Sequence, residues 1–140
     1  MKITILNKQY DINLQTLYLD NNQLQSLPVE IGKLIKLQIL NLMDNQLQSL
    51  PAEIGNLTNL QNLSLYNNQL LSLPAEICNF INLQNLYLSN NQLQSLPTKI
   101  LKIKNTLNID NTSYNLNNLN NDNELLIFSN LKNKLNNFAN

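Results

Sequence analysis

Few side chains in this chain could carry out catalysis or bind a metal ion. The 140 residues include no histidine, so the usual general base and the commonest metal ligand are both absent. Cys78 is the only cysteine, and we expect a half-buried structural residue rather than a nucleophile, because no imidazole can activate its thiol. Asp20, Asp44 and Asp110 are scattered, without the alternating carboxylates of a calcium loop. The sequence therefore predicts a protein that is not an enzyme and has no cofactor.

The charge balance and the short apolar segments argue against two classes of partner. Nine basic residues, all of them lysines, balance nine acidic residues. Without a basic excess or arginine, we expect no nucleic-acid binding. No segment approaches the roughly 20 apolar residues of a membrane helix, so we expect no membrane insertion. The apolar run after Met1 is too short for a signal peptide, and with the lone cysteine this predicts a cytoplasmic protein, with export by another route as the alternative.

A different chemistry is offered by tyrosine, asparagine and serine residues that recur every 23 positions. They fall into three series whose residue types change from copy to copy: Thr16, Ile39, Asn62, Asn85 and Thr106; Tyr18, Asn41, Ser64, Tyr87 and Asn108; and Asp20, Met43, Tyr66, Ser89 and Asp110. The first four members of each series are 23 positions apart, and the fifth comes from a degenerate copy over residues 106–110. Tyrosine with asparagine and serine is typical of antibody paratopes, where rigid rings supply contact area and small polar groups adapt their hydrogen bonds. The alternative is that these are ordinary solvent-facing strand residues, since tyrosine fits a pleated surface.

Four consecutive units of 23 residues make up most of the chain and must position these side chains. The only prolines mark the same point in each unit: Pro28, Pro51, Pro74 and Pro97. The units align without gaps and span residues 14–36, 37–59, 60–82 and 83–105. Repeat periods of this size indicate a solenoid, a propeller or an array. The length is that of one domain, so we expect a single stack of units.

Each unit contains one short strand. In the second unit, Leu40 and Leu42 alternate with Ile39, Asn41 and Met43, which puts both leucines on one face of the strand. Such a strand is not stable alone, but copies stacked in parallel bury their leucines in a continuous core. The residues between the leucines then point to solvent on the other face of the sheet.

An asparagine follows the strand in every unit, at Asn22, Asn45, Asn68 and Asn91. The chain turns towards the core at this point, so its backbone groups lose their strand partners. An asparagine carboxamide offers two donors and an acceptor to replace those partners. We therefore expect a structural asparagine ladder, in which neighbouring asparagine side chains can also link to one another.

The second half of each unit predicts a short 3₁₀ or α-helical turn. Pro51 suits the first helical position, where an N–H is not needed, and Glu53 lies near the positive end of the turn. Gly55, like Gly32 in the first unit, is expected to end the turn at positive φ. The fourth unit departs from this pattern with Lys99 in place of the glutamate, as expected where a solenoid approaches its cap.

The pattern LxxLxLxxNxLxxLPxEIxxLxx, present in four copies over residues 14–105, resembles the leucine-rich repeat family. The resemblance is specific, because seven apolar positions together with Asn and Pro recur in phase. It implies an α/β solenoid, a curved stack with a short parallel sheet on its concave face and 3₁₀ or short helical turns on its convex side. It also implies that protein binding through the concave face is the usual task, although a fold alone does not determine function.

The outward strand positions, combined with this resemblance, predict a binding site on the concave face. The candidate residues are Tyr18, Asp20, Ile39, Asn41, Met43, Asn62, Ser64, Tyr66, Asn85, Tyr87 and Ser89. They vary between units, whereas the leucine skeleton does not. This contrast is what a binding surface built on a constant scaffold would show.

Residues outside the four units are predicted to cover the ends of the stack. Two short segments of alternating apolar and polar residues within 1–13 indicate a strand–turn–strand cap. Residues 106–120 hold a degenerate fifth strand, with Leu107 and Ile109 as its apolar residues, and a polar connection. A helical stripe of apolar residues over 121–138 predicts a C-terminal capping helix. The alternative for this stripe is a detachable amphipathic helix that docks on a partner.

The leading hypothesis is a non-enzymatic interaction module that binds a protein or a peptide along the concave face. The second hypothesis is a structural or self-associating repeat protein, and partner docking through the C-terminal helix is a further alternative. We expect a monomer or a weak homo-oligomer. The sequence does not identify the partner.

Overall fold

A computed structural model of the chain describes residues 1–94, 96–97, 99–100 and the backbone of residues 108–109. Within these residues, seven strands and three 3₁₀ helices follow one another. The predicted C-terminal helix over 121–138 lies outside the described residues and stays a prediction. No helix in the described part of the chain has the length and hydrophobicity needed to cross a membrane.

Five strands, one from each successive turn of the stack, form a parallel sheet. They are β3 (Thr16–Tyr18), β4 (Ile39–Asn41), β5 (Asn62–Ser64), β6 (Asn85–Tyr87) and β7 (Asn108–Ile109). The register pairs each residue with the residue 23 positions later, as in Leu17 with Leu40 and Leu40 with Leu63. The last pairing aligns Asn85 with Asn108 and Leu86 with Ile109. The predicted register of the fifth strand, which placed Asn108 in the series of Tyr87, is therefore wrong by two residues. The parallel sheet expected of a solenoid is therefore present.

The leucines of the strands form the core of the stack. Leu40, Leu42 and Leu63 are at most 1% exposed to solvent. Phe80 takes the place that Leu57 has one unit earlier, and both side chains are fully buried. Burying such a side chain stabilises the fold by about 1.5–3 kcal/mol. The constant spacing of the leucines therefore produces one continuous core rather than a separate core in each unit.

The side of the stack away from the sheet is formed by three 3₁₀ helices, Val29–Lys33, Ala52–Asn56 and Ala75–Asn79. In the second helix, the N–H of Ile54 donates to the carbonyl of Pro51 (3.0 Å) and that of Leu57 to the carbonyl of Ile54 (3.1 Å). These three-residue steps are the hydrogen bonds of a 3₁₀ helix. Pro51 is extended, with φ −68° and ψ 148°, and precedes the helix as its N-cap rather than forming its first residue. The buried Ile54 joins the helix to the core.

The two glycines of these helices are required for a different reason from the one that the sequence suggests. Neither Gly32 nor Gly55 has a positive φ, so the prediction that they end the turn in the left-handed region is wrong. A Cβ atom added to Gly32 would lie 2.6 Å from the carbonyl oxygen of Glu53, and one on Gly55 would lie 2.6 Å from the Cβ of Glu76. Each glycine therefore allows a 3₁₀ helix to pack closely against the helix of the next unit.

A β-hairpin covers the N-terminal end of the core. Strands β1 (Lys2–Ile5) and β2 (Lys8–Asp11) pair in an antiparallel arrangement. The two turn residues, Leu6 and Asn7, both have positive φ (51° and 60°), as a tight type I′ hairpin turn requires. Ile3 and Ile5 are 3% and 2% exposed and join the core cluster. The strand–turn–strand segment therefore shields the first leucine layer from water.

Candidate functional site

The candidate site is the solvent side of the parallel sheet, which we call the sheet face and which corresponds to the predicted concave face. It consists of the outward side chains of three rows: Thr16, Ile39, Asn62 and Asn85; Tyr18, Asn41, Ser64 and Tyr87; and Asp20, Met43, Tyr66 and Ser89. The first two rows lie within the strands. The backbone ladder continues beyond the strands, since the N–H of Asn21 donates to the carbonyl of Met43 (3.1 Å). The third row therefore belongs to the same surface.

The inward and outward positions of the strands differ sharply in exposure. Leu17 is 2% exposed, whereas the adjacent Tyr18 is 63% exposed, and Tyr87 is 43% exposed. The other nine predicted binding residues are half-buried between their neighbours. Neighbouring strands of a sheet are about 4.8 Å apart, so successive members of a row can contact one another. The structure thus brings all eleven predicted residues onto one surface.

Hydrogen bonds hold several polar side chains of the sheet face in place. The Nδ2 of Asn85 donates to the Oδ1 of Asn62 on the neighbouring strand. The hydroxyl of Tyr66 accepts a hydrogen bond from the Nδ2 of Asn90 (2.9 Å). The Oδ1 of Asn41 accepts the backbone N–H of Met43 (3.1 Å). Polar groups that are ordered in this way have less conformational entropy to lose if they are covered by another molecule.

The ladder asparagines bond to the backbone of the preceding unit. The Nδ2 of Asn68 donates to the carbonyls of Leu65 (3.1 Å) in its own unit and Leu42 (2.9 Å) in the preceding unit, and its Oδ1 accepts the N–H of Leu47 (3.0 Å). Asn45 and Asn91 make the equivalent bonds. The ladder asparagines therefore link the units through bonds from side chain to backbone, and not through the links between their own side chains that the sequence analysis allowed.

The first asparagine of the series differs from the other three. Asn22 is exposed, and the carbonyl of Asp20 in its own turn is the only acceptor of its Nδ2 among the described residues (3.0 Å). Its backbone N–H donates a hydrogen bond to the Oδ1 of Asn45 in the following unit (3.1 Å). Asn22 has no preceding repeat with which to form the ladder bonds. It therefore receives a ladder contact without making one.

The residue just before each ladder asparagine has a left-handed backbone, which the sequence analysis did not predict. Asn21, Asp44, Asn67 and Asn90 have φ between 54° and 57°. Asparagine and aspartate tolerate this region better than other residues with a side chain. The signal was present in the sequence, because only these two residue types occur at that position. The left-handed turn directs the chain from the sheet towards the core.

A second column of asparagines, also missed by the sequence analysis, links the units where the chain returns to the sheet. The Nδ2 of Asn59 donates to the carbonyl of Ile35 (2.8 Å), and that of Asn82 donates to the carbonyl of Thr58 (2.9 Å). All of these residues are exposed. Recurrence of asparagine every 23 positions was again the available signal, and its role here is structural.

Cys78 lies on the opposite side of the stack from the sheet face. It replaces the glycine of the two earlier 3₁₀ helices and is half-buried, as the sequence analysis expected. Burial raises the pKa of its thiol above the usual value, and the positive charge of Lys99 only partly opposes this shift. A thiol with a raised pKa is a poor nucleophile. Among the described residues, no three histidine, cysteine or acidic side chains are grouped in a way that could hold a metal ion.

Comparisons with known proteins agree with the geometry of the stack. A family model described as "Leucine rich repeat" matches residues 12–70, and a second, described as "Leucine Rich Repeat", matches residues 82–103. No curated protein matches the chain.

Solved structures include similar proteins from a bacterium and a plant. A leucine-rich repeat protein of Leptospira interrogans is 50% identical over 71% of this chain, with a TM-score of 0.67. The leucine-rich repeat ectodomain of the receptor kinase SOBIR1 from Arabidopsis thaliana is 31% identical over 72% of this chain, with a TM-score of 0.63. This chain covers 25% of the first protein and 56% of the second. The repeated skeleton, the parallel sheet and these matches together show that the chain belongs to the leucine-rich repeat family.

Proposed function

We propose that this protein is a non-enzymatic interaction module that binds a protein or a peptide on the sheet face. One observation carries the proposal, namely the contrast between the two sides of the strands. Leu17, Leu40, Leu63 and Leu86 are identical and buried, whereas the residue that follows each of them is tyrosine, asparagine, serine or tyrosine and faces solvent. Core packing explains why the buried residues are the same in every unit. It does not explain which residues occupy the exposed positions.

The chemistry of the sheet face supports a polypeptide partner. Tyr18 and Tyr87 expose large rings that lose little side-chain entropy when they are covered. The carboxamides of Asn41, Asn62 and Asn85 can donate to and accept from the main chain of an extended segment. The similarity to a receptor-kinase ectodomain supports recognition rather than catalysis as the task of the stack. The absence of histidine from the whole sequence supports the same conclusion.

The size of the sheet face sets the size of the partner segment. Five strands about 4.8 Å apart span about 20 Å between the first and the last strand. An extended segment rises about 3.3 Å per residue, so roughly six residues cross the whole face. We therefore propose a short extended segment, or one loop of a larger protein, as the part that is bound.

The experiment that tests the proposal uses a displayed library of random peptides selected on the full chain. Peptides that bind should lose affinity for the Tyr66→Ala/Tyr87→Ala variant, because truncated aromatic residues at the centre of an interface are the costliest losses. The matched control is Gln48→Ala/Gln94→Ala, which removes two exposed side chains outside the sheet face. The circular dichroism spectrum and melting temperature of both variants should match those of the parent protein.

The outcomes separate clearly. Loss of binding in the tyrosine variant with full binding in the glutamine variant supports the sheet face as the site. Loss in the glutamine variant alone places the site on another surface and contradicts the proposal. Sedimentation of the free protein at several concentrations checks that binding is not competing with association between copies of the chain.

A further inference from the structure

The charges of this protein are distributed unevenly around the stack. The described lysines lie on the N-terminal hairpin or on the side of the 3₁₀ helices, at Lys2, Lys8, Lys33, Lys36 and Lys99. None of the described residues on the sheet face is a lysine. The carboxylate of Asp20 belongs to the third row of the sheet face, and that of Asp44 directly follows Met43, the neighbour of Asp20 in this row. One corner of the sheet face is therefore negative in a chain whose formal net charge is zero.

The two carboxylates are held by amide groups and not by cations. The Oδ2 of Asp20 accepts a hydrogen bond from the Nδ2 of Asn21 (3.2 Å), and its Oδ1 accepts one from the Nδ2 of Asn41 (3.5 Å). The Oδ1 of Asp44 accepts the Nδ2 of Asn67 (2.7 Å). Within the described part of the chain, no lysine pairs with either carboxylate. The amides orient the carboxylates without neutralising their charge, so both can accept further hydrogen bonds from a cation.

The most exposed tyrosine of the sheet face stands beside this acidic pair. Tyr18 precedes Asp20 by two residues, so both side chains point to the same side of the chain, about 7 Å apart at their Cα atoms. The ring is 63% exposed. A lysine or arginine side chain can contact the face of an aromatic ring and a carboxylate at the same time. Tyr18, Asp20 and Asp44 together form what we call the acidic corner.

The geometry points to a basic, extended polypeptide segment as the partner of the sheet face, with a lysine or arginine side chain seated in the acidic corner. This inference rests on the proposed function and adds the chemical class of the partner to it. A metal ion fits the corner less well, because two carboxylates supply few of the six to eight oxygen ligands that calcium takes.

The position of the corner also predicts a spacing within the bound segment. Tyr87 lies in the same row as Tyr18 but three strands further on, a separation of about 14 Å. An extended chain covers this distance in about four residues. A segment that crosses the strands should therefore carry a basic residue at one end and an apolar or aromatic residue about four positions away, where it meets Tyr66 and Tyr87.

The test compares two pairs of charge-removing variants against the peptides selected on the full chain. Asp20→Asn/Asp44→Asn keeps the shape of the acidic corner and removes both charges. Glu53→Gln/Glu76→Gln is the matched control, because it removes two exposed negative charges on the 3₁₀ helices. We expect the selected peptides to be enriched in lysine and arginine. Their Kd should rise about three- to tenfold in the aspartate variant and less than about twofold in the control.

Ionic strength provides a second readout, since exposed charge pairs are screened by salt. Binding of the basic peptides should weaken between 0.05 and 0.5 M sodium chloride in the parent protein and respond less in the aspartate variant. Equal loss of affinity in both charge variants would show an effect of net charge alone and would overturn the inference.

Two further results would overturn the inference while leaving the interaction module in place. One is a set of peptides that depend on Tyr66 and Tyr87 but contain no basic residue. The other is binding of neutral oligosaccharides that depends on the same tyrosines and ignores the aspartate variant. Failure of the proposed function itself has a different signature, because no selected ligand would then respond to Tyr66→Ala/Tyr87→Ala.

Discussion

The asparagine ladder predicts that one substitution will have very different effects at equivalent positions of neighbouring units. Replacing Asn45 by alanine removes the acceptor for two backbone N–H groups, those of Asn22 (3.1 Å) and Leu24 (3.0 Å). It also removes the donor to the carbonyls of Leu19 (2.9 Å) and Leu42 (3.0 Å). Replacing Asn22 removes only one bond, to the carbonyl of Asp20, at an exposed position.

The size of the effect follows from which groups lose their last partner. The carbonyl of Leu42 keeps the Nδ2 of Asn68 (2.9 Å), so its loss is partial. The N–H of Leu24 and the carbonyl of Leu19 have no other partner among the described residues, and both bonds are buried. Each buried group left unpaired costs about 1–3 kcal/mol, so the loss of both partners in Asn45→Ala should destabilise the fold by about 2–6 kcal/mol. Asn22→Ala should cost no more than about 0.5 kcal/mol, as is usual for an exposed side chain.

Urea titration followed by circular dichroism measures the difference. With a slope of about 2 kcal/mol/M, Asn45→Ala should lower the unfolding midpoint by about 1–3 M, and Asn22→Ala should leave it nearly unchanged. Asn68→Ala should fall between them, because among the described residues it leaves the N–H of Leu47 without a partner, while the carbonyls of Leu42 and Leu65 keep Asn45 and Asn91 as donors. If Asn22→Ala and Asn45→Ala shift the midpoint equally, bonding to the preceding unit is not the source of the stability.

Four further predictions concern the core, the stacking of the helices, the thiol and the C-terminal end. Leu65→Ala should lower the free energy of unfolding, measured by urea titration, by about 2–5 kcal/mol, because its side chain is fully buried. Ser64→Ala should change it little, because this side chain faces solvent. Equal effects of the two substitutions would contradict the assignment of inward and outward positions. Gly55→Ala should lower the free energy of unfolding by about 1–3 kcal/mol, and with it the melting temperature, because the new Cβ would lie 2.6 Å from the Cβ of Glu76. A more stable variant would refute the close-packing explanation. Because burial raises its pKa, the Cys78 thiol should react with iodoacetamide at neutral pH more slowly than free cysteine, and unfolding in urea should remove the difference. Phe128→Asp should cause aggregation if the apolar stripe over 121–138 caps the core, and a soluble variant of unchanged stability would favour the detachable helix.

Much of the fold was predictable because the repeat is a local pattern. Alternation of Leu40 and Leu42 with polar neighbours decides which side of a strand is buried, and this depends only on the geometry of the extended chain. The period of 23 residues decides that strands stack in register, which the pairing of Leu17 with Leu40 shows. The candidate binding residues followed from the same alternation, so their placement on one surface needed no tertiary information.

Contacts between units explain what the sequence analysis missed. Gly55 resembles a helix-terminating glycine in the sequence, but its need for a small side chain comes from Glu76, 21 residues later. Asn22 is identical in type and phase to Asn45, but it lacks a preceding unit and so makes no ladder bond. The order and direction of such contacts depend on where a unit stands in the stack, which its own residues do not encode.

The sequence by itself determined the repeat, the direction of each strand side chain and the residues available for binding. These properties arise within one unit, from the two-residue period of a strand and the spacing of its leucines. Only the tertiary structure decided which carboxamides bond to the backbone of the preceding unit and which of the described carboxylates lack a cationic partner. Both depend on distances between residues about 23 positions apart, and those distances exist only once neighbouring units have packed together.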